Sequence, residues 1–132
     1  MSISKSFKLE RDKTDLTPYV LIDEENGYMK IEGESYHENV IAFFREISDW
    51  LAVFLKNEFN QFIFDCELVY FSSSTVKVLL NMLLDMDNSK NASRITVNWI
   101  TSDKNEIIIE CGEDFKEDLK NITFNLVVKE NI

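Results

Sequence analysis

The feature that most limits what this chain can fold into is its hydrophobic period, which switches repeatedly between two and about 3.6 residues. Tyr19-Val20-Leu21-Ile22 is a short β-rich run, and Tyr28-Met29-Lys30-Ile31-Glu32-Gly33 alternates as a half-exposed strand does. Between them Asp23-Glu24-Glu25-Asn26-Gly27 reads as a hairpin turn, with Asn26-Gly27 supplying positive-φ positions. From Asn39 to Lys56 the spacing turns helical, and Val40, Phe43, Phe44, Ile47, Leu51 and Phe54 make one stripe. Gln61–Phe71 is a strand in which Phe62, Phe64 and Cys66 alternate before a denser run, Leu68-Val69-Tyr70-Phe71. Val76–Asn88 is helical, Arg94–Ile100 β-rich, Asn105–Leu119 helical with Gly112 as a break, and Ile122–Val128 a last strand.

The order is β-β-α-β-α-β-α-β, a hairpin followed by three alternating units. It predicts an α/β fold: a mixed sheet whose later strands are parallel, with helices over at least one face. A length of 132 residues suits one domain over 1–132, and the polar residues 1–12 are expected to fray.

Charge and cysteine usage narrow the function classes. The formal net charge of −10 disfavours nucleic acid and anionic membranes, which are bound by clustered Lys and Arg. It suits a protein partner with a basic patch, or plain solubility. Cys66 and Cys111 stand in no paired motif and read as reduced core residues. No basic-then-apolar leader opens the chain and no apolar run approaches about 18 residues, so the cytoplasm is the expected compartment.

The most informative segment is Ser72-Ser73-Ser74-Thr75, four hydroxyls where a buried strand hands over to a helix. One of them suffices for helix capping, in which a side-chain oxygen accepts a backbone N–H of the first turn. The alternative use is phosphorylation, because a helix N-terminus stabilises an added anion, and a phosphate there changes the field a docking partner meets.

The turn resembles the phosphorylation site of STAS-type anti-sigma factor antagonists, with Ser72 standing where that family has Asp. A closer resemblance is to the SiaC family of regulatory phosphoproteins, which have a STAS-like fold. It is carried by Gly33-Glu34-Ser35-Tyr36-His37-Glu38-Asn39, by Val69-Tyr70-Phe71-Ser72-Ser73-Ser74-Thr75, and by Trp99 with Gly112-Glu113-Asp114-Phe115. Order and spacing hold from residue 28 to residue 126. The resemblance implies that Ser73 occupies the position of the family's phosphorylated Thr, while His37 replaces a Pro. It further implies a dedicated kinase, a PP2C-like phosphatase and an effector; in the family's characterised system that effector is a diguanylate cyclase, activated by the unphosphorylated protein.

Candidate docking residues follow. With Val76 at 0° on a helical wheel, Leu79, Leu80, Leu83, Leu84 and Met86 make a core face, and Val78 and Met82 fall outside it. They are either further core or an apolar docking patch beside Ser73. Tyr36, Glu38 and Asn39 are expected near the same end of the sheet, where open α/β sheets place their sites, with Ser35 and Asn39 as N-cap candidates. Ser72, Ser74 and Thr75 complete the candidate partner surface. His37 is the single His, and no ligand spacing, glycine loop or nucleophile–His–Asp pattern points to a metal, a cofactor or catalysis. The expectation is therefore a non-enzymatic phospho-switch. The alternatives are an anti-sigma factor antagonist, or a small hydrolase or metal-dependent enzyme using acidic residues.

Overall fold

The computed structural model describes residues 6–130. Six strands form one sheet in the order of the chain: β1 (Lys8–Arg11), β2 (Tyr19–Asp23), β3 (Tyr28–Ser35), β4 (Phe62–Phe71), β5 (Ile95–Ser102) and β6 (Thr123–Lys129). β1, β2 and β3 pair antiparallel; β3, β4, β5 and β6 pair parallel. Three helices make the parallel crossovers: α1 (Val40–Phe54), α2 (Ser73–Asp87) and α3 (Glu106–Asp118). The mixed α/β architecture is the one the periodicity implies, with one strand added. Within the segment expected to fray, Lys8–Arg11 pairs with β2, Leu9 opposite Ile22 and Arg11 opposite Val20. KLER carries little β propensity, so the ladder and not the local sequence makes it a strand. Residues 1–5 of the same segment lie outside the described residues.

All three helices cover one face. Each parallel strand is added on the same side of its predecessor, and right-handed crossovers then leave the helices on a common side. Side-chain contacts agree: Trp50 of α1 stacks toward Phe62 of β4, while Phe115 of α3 meets Trp99 of β5 edge-on. Phe62 lies opposite Ile95 and Cys66 opposite Trp99, so both contacts are on the same side of the sheet. The covered face holds Val20, Ile22, Met29, Ile31, Phe62, Phe64, Leu68, Val97 and Trp99, all buried. The other face is polar. There Tyr28 donates to Asp65 at 2.8 Å, Asn98 to Asp65 at 2.8 Å and Asn125 to Asn98 at 3.0 Å, a row that crosses four strands.

Two glycines set local geometry. Only Gly27 of the hairpin has positive φ, at 63°, so the turn is a longer loop and not the two-residue Asn-Gly type. Gly112 does not break α3. It sits inside the helix, buried, and a Cβ there would stand 2.5 Å from Cδ1 of Trp99. The indole edge occupies that gap, and its N–H donates to the Ile108 carbonyl at 2.9 Å. The Gly112-Glu113-Asp114-Phe115 box is thus a packing device for Trp99.

Candidate functional site

The site is built at the carboxyl ends of β3 and β4, where α1 and α2 begin. Ser72 is the N-cap of α2, with extended backbone, and its Oγ accepts the Thr75 N–H at 3.3 Å. Ser73 is the first helical residue. Thr75 is fully buried, at 0% exposure, and its hydroxyl donates to the Ser35 carbonyl at 2.9 Å. Ser35 Oγ and Ser72 Oγ lie 2.9 and 3.1 Å from Thr75 Oγ1. One proton arrangement satisfies all of them: Thr75 donates to the Ser35 carbonyl and accepts from both serines. The Ser72 N–H adds a bond to the Ser35 carbonyl at 3.0 Å. Ser35 therefore caps no helix; it locks the end of β3 to the start of α2.

This lock sorts the four hydroxyls. Thr75 is removed from the partner surface that the sequence suggested, because its side chain is consumed inside the protein. Ser72 is half-buried and committed to the cap. Ser73 and Ser74 are exposed, and among the described residues neither side chain has a hydrogen-bond partner. The side chain of Ser73 is thus in solvent.

Met82 is the second correction. It is 2% exposed and lies in the core, so it is no docking contact. The buried stripe of α2 is Thr75, Leu79, Met82, Leu83 and Met86, rotated away from Leu80 and Leu84, which are half-buried. α2 packs against α1 as well as the sheet, and the second contact covers the side that a wheel centred on Val76 leaves open. Val78 is half-buried and lines a groove of about 530 Å³ between α1 and α2, together with Ile41, Phe44, Arg45, Ser74 and Lys77.

The loop from Glu34 to Asn39 comes to the same end, as expected. Asn39 caps α1, its Oδ1 accepting the Ala42 N–H at 3.3 Å. His37 Nδ1 accepts the Asn39 N–H at 2.9 Å, so the imidazole braces this loop. Glu38 is exposed. Tyr36 is partly exposed and meets Tyr70 edge-on, ring centroids 5.2 Å apart. Partial burial first, then the negative charge of Glu34, raises the Tyr36 phenol above its usual pKa; it stays protonated and donates to Glu34 at 3.3 Å.

Sequence reasoning missed Val69 and Tyr70 as surface residues. They are 57% and 56% exposed, side by side. The β3–β4 register explains this: Gly33 pairs with Leu68 but Glu34 with Tyr70, so Val69 is an extra residue in the ladder. A bulge re-aims side chains in this way. The signal was present in the loss of alternation at Leu68-Val69-Tyr70-Phe71. Leu16 and Ile41, also exposed, stand at this end as well, because the Tyr36 N–H bonds the Leu16 carbonyl and Ile41 lies in the first turn of α1. Exposed apolar side chains therefore stand at the same end of the sheet as Ser73. Among the described residues no group of three or more His, Cys, Asp or Glu is placed to hold a metal ion, and no helix is long and apolar enough to cross a membrane. Both cysteines are free; burial drives the Cys66 thiol well above its usual pKa and that of Cys111 up to about 11.

Comparison with known proteins bears on this geometry. A family model described as "SiaC family regulatory phosphoprotein" matches residues 11–129. An uncharacterized protein of Pseudomonas aeruginosa (strain UCBPP-PA14) is 28% identical over 106 residues, 80% of this chain and 84% of the relative. The structure of SiaC of Pseudomonas aeruginosa superposes with a TM-score of 0.84 at 24% identity, covering 93% of this chain and 99% of that one, which establishes the likeness of fold. A crystal structure described as the diguanylate cyclase SiaD in complex with its activator SiaC, from the same organism, gives a TM-score of 0.82 at 26% identity, covering 93% of this chain and 99% of that chain.

Proposed function

The chain belongs to the SiaC family of regulatory phosphoproteins, and from that premise we propose that it is a non-enzymatic switch whose docking surface is the apolar rim around Ser73. Unphosphorylated, it binds and activates a diguanylate cyclase; phosphate on Ser73 releases the cyclase. A Ser/Thr kinase adds the phosphate and a PP2C-like phosphatase removes it. The cyclase as effector is argued from the relative, SiaC, which is described as the activator of SiaD.

The observation that carries this reading is the pairing of a free, exposed hydroxyl with exposed aromatics at one end of the sheet. Contiguous apolar side chains in water mark interaction sites, and Tyr is favoured at binding centres. A phosphate on Ser73 would bring roughly −1.5 to −2 charges and three oxygens into the middle of that surface. The acidic Glu34 and Glu38 nearby add no counter-charge. Docking would then need an apolar partner surface to desolvate a dianion, a cost of several kcal/mol. Tyr36, Glu38, Asn39, Ser74 and Val78 border the same surface and are its proposed contacts, with Ser72 holding the turn in shape. The proposed meeting place with the partner is the cytoplasm.

The test is a pair of measurements on the full chain. Incubated with its kinase, wild type and Ser74→Ala should take up phosphate and Ser73→Ala should not. In titration calorimetry against the cyclase, Ser73→Ala should bind as wild type does, and Ser73→Asp should bind about tenfold or more weakly. Full labelling of the Ser73→Ala chain, or equal affinity of Ser73→Asp, contradicts the proposal.

A further inference from the structure

The groove between α1 and α2 is lined by Ser74, the residue that follows Ser73, and carries two cations that the fold leaves unused. Lys77 of α2 and Arg45 of α1 both line it, next to Ser74. Five other basic side chains pair with carboxylates, Arg11 with Glu46, Lys30 with Glu32, Lys90 and Arg94 with Glu58, Lys129 with Glu67, while Lys8, Lys13, Lys56, Lys104, Lys116 and Lys120 do not among the described residues. Among the described residues Lys77 and Arg45 have no such partner, in a chain with 24 acidic and 14 basic residues. Asp49 is the single carboxylate lining the groove. It follows Arg45 by four residues on α1, the order in which a helix supports an ion pair least.

Lys77 stands four residues after Ser73 on α2. Residues so spaced are neighbours on a helix surface, about 5–6 Å between Cβ atoms, and an anion preceding a cation is the favourable order. The long Lys side chain can therefore reach back along the helix to an anion on Ser73. Arg45 comes from the facing helix, and its planar fork suits phosphate oxygens.

We propose that Lys77 and Arg45 are a built-in receiver for the phosphoryl group on Ser73, so that phosphorylation ties α1 to α2 across the head of their groove. This rests on Ser73 being the modified residue and specifies how the modification acts. The two cations do the receiving, and the helix terminus is an auxiliary. Once the phosphate is held, Lys77 and Arg45 can no longer pair with a partner, and the strip between Ile41 and Val78 is overlaid. The switch then works by closing the surface as well as by repulsion.

The test needs no partner and no kinase. Phosphoserine is installed at residue 73 of the full chain by encoded incorporation, and its phosphorus resonance is titrated with pH. An unperturbed phosphoserine loses its second proton near about pH 6. The receiver lowers that midpoint by about half a unit or more, since nearby cations favour the dianion. Lys77→Gln should restore most of the difference, Arg45→Gln a smaller part, and Lys116→Gln on α3 none. A midpoint that neither Lys77→Gln nor Arg45→Gln moves overturns the proposal. If incorporation unfolds the chain, Ser73→Asp serves with the Lys77 Nζ resonance as readout: a shift against Ser73→Ala supports the receiver and none contradicts it. Kinase labelling of Ser73→Ala separately decides whether Ser73 is the natural site, so the two readings can fail independently.

Discussion

The two ends of the sheet hold similar residue types and use them differently. At the amino ends of the parallel strands, Trp50, Phe54 and Phe59 stack in turn and Phe62 meets all three tilted or edge-on, with centroid separations of 4.8–6.4 Å. The polar groups there are paired as well. Trp50 donates to Glu24 at 2.8 Å, and Asp87 at the end of α2 accepts the N–H groups of Lys120, Asn121 and Ile122. At the carboxyl ends, Tyr36 and Tyr70 touch in solvent, and the hydroxyls of Ser73 and Ser74 have no partner among the described residues. Where rings are covered and polar groups matched, side-chain chemistry is consumed by folding. Where they are left open, it is available to another molecule.

The largest effect expected on breaking this contrast is at the closed end. Phe62→Ala removes a ring with 0% exposure and should cost about 3–5 kcal/mol of stability in urea denaturation, against a negligible change for Tyr70→Ala. Asp87→Asn should cost about 2–3 kcal/mol, because three backbone donors lose a charged acceptor. Burial opposes the charge of Asp87, yet the N–H groups of Asn121, Ile122 and Lys120 outweigh it and hold the pKa below the usual value. A depressed folded pKa means a contribution that is complete above the unfolded value of about 3.9 and lost as pH falls through the folded one. The difference between wild type and Asp87→Asn should therefore narrow in acid, below about pH 4, and be constant above it.

Gly112→Ala places a methyl against the Trp99 indole and should cost about 1–3 kcal/mol, with a changed Trp fluorescence, since backbone and ring must part. Tyr70→Ala is the smallest perturbation of the fold, under about 0.5 kcal/mol. Its effect should appear in partner affinity, with a loss of about tenfold or more, which no core substitution of equal stability would reproduce.

How much of this was legible in the sequence follows the same division. The alternation of Phe62, Phe64 and Cys66, the stripe of Val40, Phe44, Ile47 and Leu51, and the cap at Asn39 are local patterns, and they gave their elements within a few residues; α2, expected from Val76, begins at Ser73 because Ser72 is the hydroxyl that caps it. Features that depend on a distant neighbour were hidden. β1 exists because β2 offers an edge; Thr75 and Met82 are buried because α1 and β3 cover that side of α2; Val69 and Tyr70 are exposed because Gly33 shifts the register. For the proposed site, the motifs pointed to Ser73, Tyr36 and Glu38 as candidates, and all three are exposed. The bulge, Ile41 and the two unpaired cations of the groove could not be picked out by motif, since each is defined by what does or does not lie opposite it.

One titration tests the account at its centre. The full chain, unmodified or carrying phosphoserine at residue 73, is added to the cyclase while binding and cyclic-di-GMP formation are followed together. The unmodified chain should bind and raise turnover, and the phosphoserine chain should do neither at the same concentration. Equal binding and equal activation by the two forms would contradict it.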